Sequence, residues 1–292
     1  MVQQSPVRHP WVLGARPRTL PASVVPVLVG TGAAAAYGAV VWWRAALAGV
    51  VAVALQVGVN YANDYSDGAR GTDADRVGPL RLVASGVARP EAVKRAAIVA
   101  FTIAGGAGLA LAAVAGWWLV GVGSACVAAA WLYTGGPRPY GYAGLGEVSV
   151  FCFFGLVATD GTAYVQTGAL TALEVLAALP VGMPAVSLLV VNNLRDIPGD
   201  AAAGKRTLAV RLGPGATRRS YELCLAAAIV LIIPIVVSRP WAALAIGAVV
   251  LVVPPLRAVA GGAEGPALVP VLGATGRAQL ALGVLLAIGL AL

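Results

Sequence analysis

The chain reads as an all-α polytopic membrane protein with about nine transmembrane helices. Three observations predict this. Of its 292 residues, 59% are hydrophobic and only 11% are charged, whereas a soluble domain carries about 25% charged residues. Mean hydropathy is +0.85, and the apolar residues fall in runs close to the ~20 that cross a bilayer as a helix. The basic residues lie almost entirely in alternate connections between those runs.

Taken in order, the expected spans are 20–37, 45–62, 93–114, 117–134, 144–162, 172–193, 219–237, 241–256 and 272–292. Segment 1–19 is expected to be cytoplasmic. Arg8, Arg16 and Arg18 lead into the first apolar run without the short apolar core and cleavage site of a signal peptide, so that run is expected to stay as a spanning helix. With the N-terminus inside, all of the 20 Lys and Arg except Arg44, Arg239 and Arg277 fall on the cytoplasmic side, as the positive-inside rule requires. Trp42, Trp43, Trp117, Trp118 and Trp241 then sit at external ends as an interfacial belt. Nothing suggests a second domain, so 1–292 is expected to be one transmembrane unit in the bacterial cell membrane.

Composition also excludes functions. The net charge of +8 is spread over loops between apolar runs, with no soluble domain to hold a duplex, so nucleic acid is not an expected partner. Cys126, Cys152 and Cys224 stand singly in apolar segments and read as small packing residues. His9, the one histidine, lies in the N-terminal segment, which excludes a histidine base or ligand within the membrane.

Charge concentrates in two stretches. After the apolar run Ala45 to Val59 comes Asn60-Tyr-Ala-Asn-Asp-Tyr-Ser-Asp67, continuing through Asp73, Asp75, Arg76 and Arg81. Its counterpart is Asn192-Asn-Leu-Arg-Asp196-Ile-Pro-Gly-Asp200, then Gly204-Lys-Arg-Thr207. Residues four apart share a helix face, so Gln56, Asn60 and Asp64 form one polar stripe and Asn192, Asp196 and Asp200 another. Pro198 is expected to distort the second helix before Asp200. Ionisable groups at membrane depth normally face a cavity or a partner.

Facing stripes would crowd carboxylates into one pocket, where they repel unless a cation intervenes. With oxygen donors and no histidine or cysteine nearby, Mg2+ is the natural ion, and it binds through a few carboxylates plus substrate phosphates. Arg70, Arg76, Arg81, Arg195, Lys205 and Arg206 add the positive charge a polyphosphate needs. The expected substrate has a diphosphate head and a hydrocarbon tail.

At these residues the chain resembles the UbiA superfamily of intramembrane prenyltransferases, and within it the menaquinone branch. The matching pieces are Ala15-Arg-Pro-Arg-Thr-Leu-Pro21; Asn63-Asp-Tyr-Ser-Asp67 with Asp73 and Arg76-Val-Gly-Pro-Leu-Arg81; Tyr133-Thr-Gly-Gly-Pro137; Pro139-Tyr-Gly-Tyr-Ala-Gly-Leu-Gly-Glu147; and Asn192-Asn-Leu-Arg-Asp196 through Gly204–Gly213. One departure is Gly71, where many superfamily members carry a further aspartate; Asp73 is taken as its substitute.

The resemblance implies that the nine helices surround a central cavity with cytoplasmic loops capping the active site. It also implies transfer of a polyprenyl group from polyprenyl diphosphate to 1,4-dihydroxy-2-naphthoate, with loss of diphosphate, CO2 and a proton. It implies catalytic and metal-binding roles for Asp64, Asp67, Asp196 and Asp200. Substrate binding falls to Asn60, Asn63, Asp73, Arg76, Arg81, Tyr133, Tyr140, Asn192, Asn193, Arg195, Lys205 and Arg18. Tyr65, Tyr133, Tyr140 and Tyr142 are candidates to face the allylic cation, Arg18 and Arg138 to reach the acceptor's carboxylate, and Glu147 to assist beside the tyrosine-glycine loop. Two alternatives remain open here: another aromatic acceptor such as 4-hydroxybenzoate, homogentisate or haem, and a transporter with broken helices. The carboxylates cluster at one membrane face, which speaks against transport.

Overall fold

The computed structural model describes residues 9–72 and 80–292, and every regular element among them is helical. A short N-terminal helix, Pro10–Gly14, and a 3-10 turn, Pro17–Thr19, precede the bundle. The bundle consists of α1 (Pro21–Ala35), α2 (Trp42–Arg70), α3 (Pro90–Ala115), α4 (Leu119–Leu132), α5 (Gly146–Thr167), α6 (Ala172–Ala202), α7 (Leu208–Ser238), α8 (Pro240–Ala260) and α9 (Gly265–Ala291). Among the described residues seven of these, α2, α3 and α5 to α9, are long and apolar enough to cross a membrane. The first and fourth expected spans appear as apolar helices of only 15 and 14 residues, shorter than a full crossing needs.

Local signals explain several boundaries. Helix α2 runs eight residues past its expected end and stops at Arg70, where Gly71 takes a left-handed conformation with φ of 70°. Only glycine enters that region without steric cost, and it closes the helix as a C-terminal cap. The position that many superfamily members fill with aspartate is therefore a turn residue in this chain. Helix α6 opens on a capping box: the Thr171 hydroxyl accepts from the Leu173 amide, and Glu174 accepts from the Thr171 amide at 2.8 Å. Contrary to the expected distortion, α6 continues through Pro198 to Ala202, so Asp196 and Asp200 stay on one helical face. Helix α7 begins at Leu208, earlier than expected, and breaks at Gly213 before Pro214.

Two of the bundle's apolar cores draw on helices that also line its interior cavity. One joins Val25 and Val29 of α1, Val181 of α6, Ile232 and Ile235 of α7, and Leu282, Leu286 and Leu290 of α9. The other joins Tyr61, Leu82, Ala97 and Phe101 near α2 and α3, with Trp131 of α4 packed against it. Lipid is as apolar as these side chains, so helices hold together in it largely by close backbone contact at small residues. A Cβ built on Gly32 of α1 would lie 2.5 Å from the Ala287 carbonyl oxygen of α9, and one on Gly289 would lie 2.2 Å from that of Trp241. Gly155 presses on Gly182 in the same way, inside a π-helical stretch of α5, Phe151–Val157.

These contacts predict a contrast. Gly289→Val is expected to lower stability by about 1–3 kcal/mol by overpacking, read as a lower thermal unfolding midpoint in detergent. Gly105→Ala, where the added carbon meets nothing within 4 Å, should change stability by less than about 0.5 kcal/mol.

Candidate active site

A cavity of about 1440 Å³ lies among α1 to α6 and α9. One end is charged and is lined by Asp67, Arg81, Arg195, Asp196, Asp200 and Lys205. The other is apolar and reaches Ala48, Leu111, Leu119 and Val165. Both Ala48 and Asp67 belong to α2, and at 1.5 Å per residue their separation corresponds to a depth of ~28 Å.

Lys205, in the short link between α6 and α7, joins the two acidic stretches. Its Nζ lies 3.5 Å from Asp67 and 3.7 Å from Asp200. Asp67, only 3% exposed, also lies 3.8 Å from the Arg81 guanidinium and accepts a hydrogen bond from the Tyr142 hydroxyl. Burial, followed by the Asp67 charge, pushes the Tyr142 hydroxyl well above the usual phenol range. Tyr142 therefore stays protonated and serves Asp67 as a donor. Its ring face meets the Lys205 ammonium at 4.7 Å and Arg70 at 5.7 Å. Arg70 in turn donates to the carbonyls of Thr134 and Gly136, fixing the loop that carries Tyr142.

The second stretch is held by its own arginine. Arg195 donates from Nε and Nη2 to the two oxygens of Asp196, at 2.7 and 2.8 Å, and from Nη2 to Asn192 at 2.8 Å. Asn193 donates to Glu147 at 3.0 Å. The tyrosine loop closes the same end, where Tyr133 and Tyr140 meet edge to face at 5.4 Å. The Tyr140 hydroxyl is anchored on the Ala129 carbonyl at 2.9 Å.

Not all the residues expected to face the substrate do so. Asp64 is 1% exposed and does not line the cavity. Its two oxygens accept the backbone amides of Leu82 and Val83 at 2.8 and 3.1 Å, so it anchors the segment after residue 79. Asn60 lines the cavity but donates to the Ala15 carbonyl and to Thr19, at 2.9 and 3.2 Å. Gln56 also donates to Thr19, at 3.0 Å. Asn63 accepts from Thr134 at 2.7 Å.

Tyr65 stacks on Trp131 and takes Lys94 on its face, and neither Tyr65 nor the exposed Arg138 lines the cavity. Arg18 lines it but is largely exposed. Asp73 and Arg76 lie outside the described residues. The cavity wall adds Arg16, Thr19, Thr134 and Ser149, which sequence reasoning did not single out as binding groups. No local signal marks Arg16: a residue before proline is steered to extended backbone, not to the positive φ that Arg16 takes.

Residues 23–261 match the UbiA prenyltransferase family. The chain is 53% identical over 270 residues to the 1,4-dihydroxy-2-naphthoate octaprenyltransferase of Mycobacterium tuberculosis, covering 92% of each protein. It is 41% identical to the Escherichia coli enzyme of the same name, covering 76% of this chain and 74% of that one. Among solved structures, a UbiA homolog from Archaeoglobus fulgidus bound to GPP and Mg2+ superimposes with a TM-score of 0.68 at 15% identity, over 95% of this chain and 99% of that one. The apo UbiA homolog from Aeropyrum pernix K1 gives 0.69 at 16% identity, over 92% and 96%. At such identities the likeness is one of fold, and it runs the length of the bundle. With the two acidic stretches meeting at the mouth of a deep apolar cavity, and with relatives this similar over nearly their whole length, the chain belongs to the UbiA prenyltransferase family.

Proposed function

We propose that this protein transfers a polyprenyl group from polyprenyl diphosphate to 1,4-dihydroxy-2-naphthoate, releasing diphosphate and CO2. The observation that carries this reading is the cavity itself: acidic and basic side chains converge at one end, and apolar walls continue from there for most of the length of α2. A diphosphate head and a hydrocarbon tail match that division. The 53% identity to a 1,4-dihydroxy-2-naphthoate octaprenyltransferase supports the acceptor. Residues 1–292 form one transmembrane domain in this reading. It sits in the bacterial cell membrane with the charged mouth on the cytoplasmic side, which the positive-inside distribution supports.

The donor set fits a hard divalent ion. Asp67 and Asp200 approach one ammonium from opposite stretches, and all the carboxylates at the cavity mouth offer oxygen. Among the described residues no three acidic, histidine or cysteine side chains are gathered closely enough to hold a metal alone. Sharing ligands with a substrate is how Mg2+ is usually bound, through one or two carboxylates and phosphate oxygens. Asp67 and Asp200 would hold it, with Asp196 beside them. When bound, the ion neutralises charge on the departing diphosphate.

The chain's own residues supply the rest. Lys205, Arg81 and Arg195 offer positive charge to the phosphate oxygens, where charge develops as the allylic C–O bond breaks. Tyr142 already carries Lys205 on its ring face, so Tyr133 and Tyr140 are the tyrosines left to face the allylic cation. A desolvated ring face contributes about 1–2 kcal/mol to holding a cation. The apolar wall keeps water from capturing it. The acid's proton is given up before the acceptor binds as a carboxylate. The new C–C bond then forms at the ring carbon that bears the carboxylate, the bond to the carboxylate breaks, and its electron pair restores the aromatic ring as CO2 leaves.

Asp67→Asn is expected to lower turnover at least about 100-fold, because it removes a charged group acting on the leaving diphosphate. Product mass from purified enzyme reads this out. Chelation with EDTA should abolish activity, and Mg2+ should restore it far better than Ca2+, whose ligand shell is larger and looser; full activity in EDTA would overturn the metal assignment. Asp64→Ala should act differently from Asp67→Asn. Leaving the Leu82 and Val83 amides without their acceptor costs about 1–3 kcal/mol each where they are buried, so a lower unfolding midpoint should accompany its loss of activity.

A further inference from the structure

Arg16 stands apart from the other cationic groups of the cavity. Among the described residues it is the only one other than glycine with a positive φ, at φ 55° and ψ 68°. An arginine does not adopt that conformation unless its surroundings impose it. Those surroundings are well defined. The Arg16 amide donates to the Leu13 carbonyl at 3.0 Å, and the Thr19 amide and hydroxyl both donate to the Arg16 carbonyl at 2.9 Å. Asn60 and Gln56 of α2 hold Thr19, and Asn60 also holds the Ala15 carbonyl. Gly14 lies against Leu82 and Tyr61 with no room for a Cβ.

Gln56 and Asn60, two of the three polar-stripe residues of α2, are therefore spent on fixing this one turn, and the turn delivers a guanidinium to the cavity wall. Its Nη2 is buried and has no hydrogen-bond partner among the described residues. Arg195 also keeps one buried N–H, at Nη1, without a partner among the described residues, but its fork is matched by Asp196, while Lys205 lies between Asp67 and Asp200 and Arg81 lies beside Asp67. No carboxylate of the described residues lies within ion-pair distance of Arg16. A strained backbone and a buried N–H without an acceptor both work against stability. Together they mark a group kept ready for an anion that arrives from outside.

We infer that Arg16 binds the carboxylate of the aromatic acceptor and sets the ring against the donor's allylic carbon. This rests on the proposed function. The position favours the acceptor over the diphosphate. The Ala15 carbonyl beside Arg16 is held by Asn60, seven residues before Asp67 along α2 and so ~10 Å nearer the apolar end, and the Arg16 side chain lines the same cavity. A carboxylate held there leaves the ring between the charged mouth and the apolar tail path. A planar fork suits a planar carboxylate better than a point charge does. Once CO2 has left, the product has no anion for Arg16 to hold, which favours its release.

The test is equilibrium binding to purified protein in detergent, by calorimetry, for wild type, Arg16→Gly and Arg16→Lys. Glycine accepts φ of 55° without strain, so Arg16→Gly removes the guanidinium and should leave the unfolding midpoint unchanged or higher. Expected for Arg16→Gly is a loss of at least about tenfold in affinity for 1,4-dihydroxy-2-naphthoate, with Arg16→Lys in between. Affinity for 1,4-dihydroxynaphthalene, which lacks the carboxylate, and for inorganic pyrophosphate with Mg2+ should stay within about twofold of wild type. Unchanged naphthoate affinity in Arg16→Gly overturns the inference. So does a loss confined to pyrophosphate, which would assign Arg16 to the diphosphate instead. Wild-type protein that forms no prenylated product from the naphthoate overturns the proposed function itself, a result distinct from either.

Discussion

Everything at the mouth of this bundle depends on how charge is held where water is scarce. Two acidic stretches, on α2 and α6, approach each other where desolvation would penalise bare carboxylates heavily. Lys205 resolves this by lying between Asp67 and Asp200, so one side chain in a short link ties the ends of two long helices. Tyr142 reinforces the same point, donating to Asp67 while its ring face supports the Lys205 ammonium. The arrangement is stable without substrate and also replaceable. In the proposed reaction, an incoming diphosphate with its cation would take over the ammonium and the two carboxylates without leaving a buried charge unmatched.

The rest of the bundle is built so that this mouth opens onto empty space rather than onto a packed core. Glycine contacts between α1 and α9 and between α5 and α6 let backbones touch, which concentrates packing on one side. The core around Tyr61 and Phe101 packs the other side. Helix α4 contributes no fully buried residue, yet Val122, Gly123, Cys126, Ala129 and Ala130 line the cavity. It acts mainly as a wall with one face to the cavity, while Val127 and Trp131 pack against the core around Tyr61 and Phe101.

How much of this the sequence disclosed depended on whether a feature was local. The helical class, the acidic stretches and the four-residue spacing of Gln56, Asn60 and Asp64 followed from composition and periodicity. That the two stretches would face each other is a conditional expectation, and Lys205 joins them through Asp67 and Asp200. Periodicity places side chains on a face but does not name their partners. Asp64 faces the amides of Leu82 and Val83, and Gln56 and Asn60 face the Arg16 turn; both contacts join segments far apart in the chain. Hydropathy likewise marked the stretches that became α1 and α4 without revealing that their regular helix covers only 15 and 14 residues. The continuation of α6 through Pro198 ran against local propensity, because tertiary packing around α6 outweighs the lost hydrogen bond.

The distribution of arginines completes the picture, because each solves a different electrostatic problem. Arg195 neutralises its own neighbour, Asp196, and so lowers the number of carboxylates that compete for one cation. Arg70 donates to main-chain carbonyls and fixes a loop. Arg81 adds positive charge beside Asp67. In each case a carboxylate or carbonyl of the protein answers at least part of the guanidinium. Arg16 is held by hydrogen bonds to its backbone alone, with its inner N–H left unanswered. In an interior where unmatched donors are costly, the simplest account is that its acceptor belongs to a substrate. That makes the N-terminal turn part of the site, and the α2 polar stripe its scaffold.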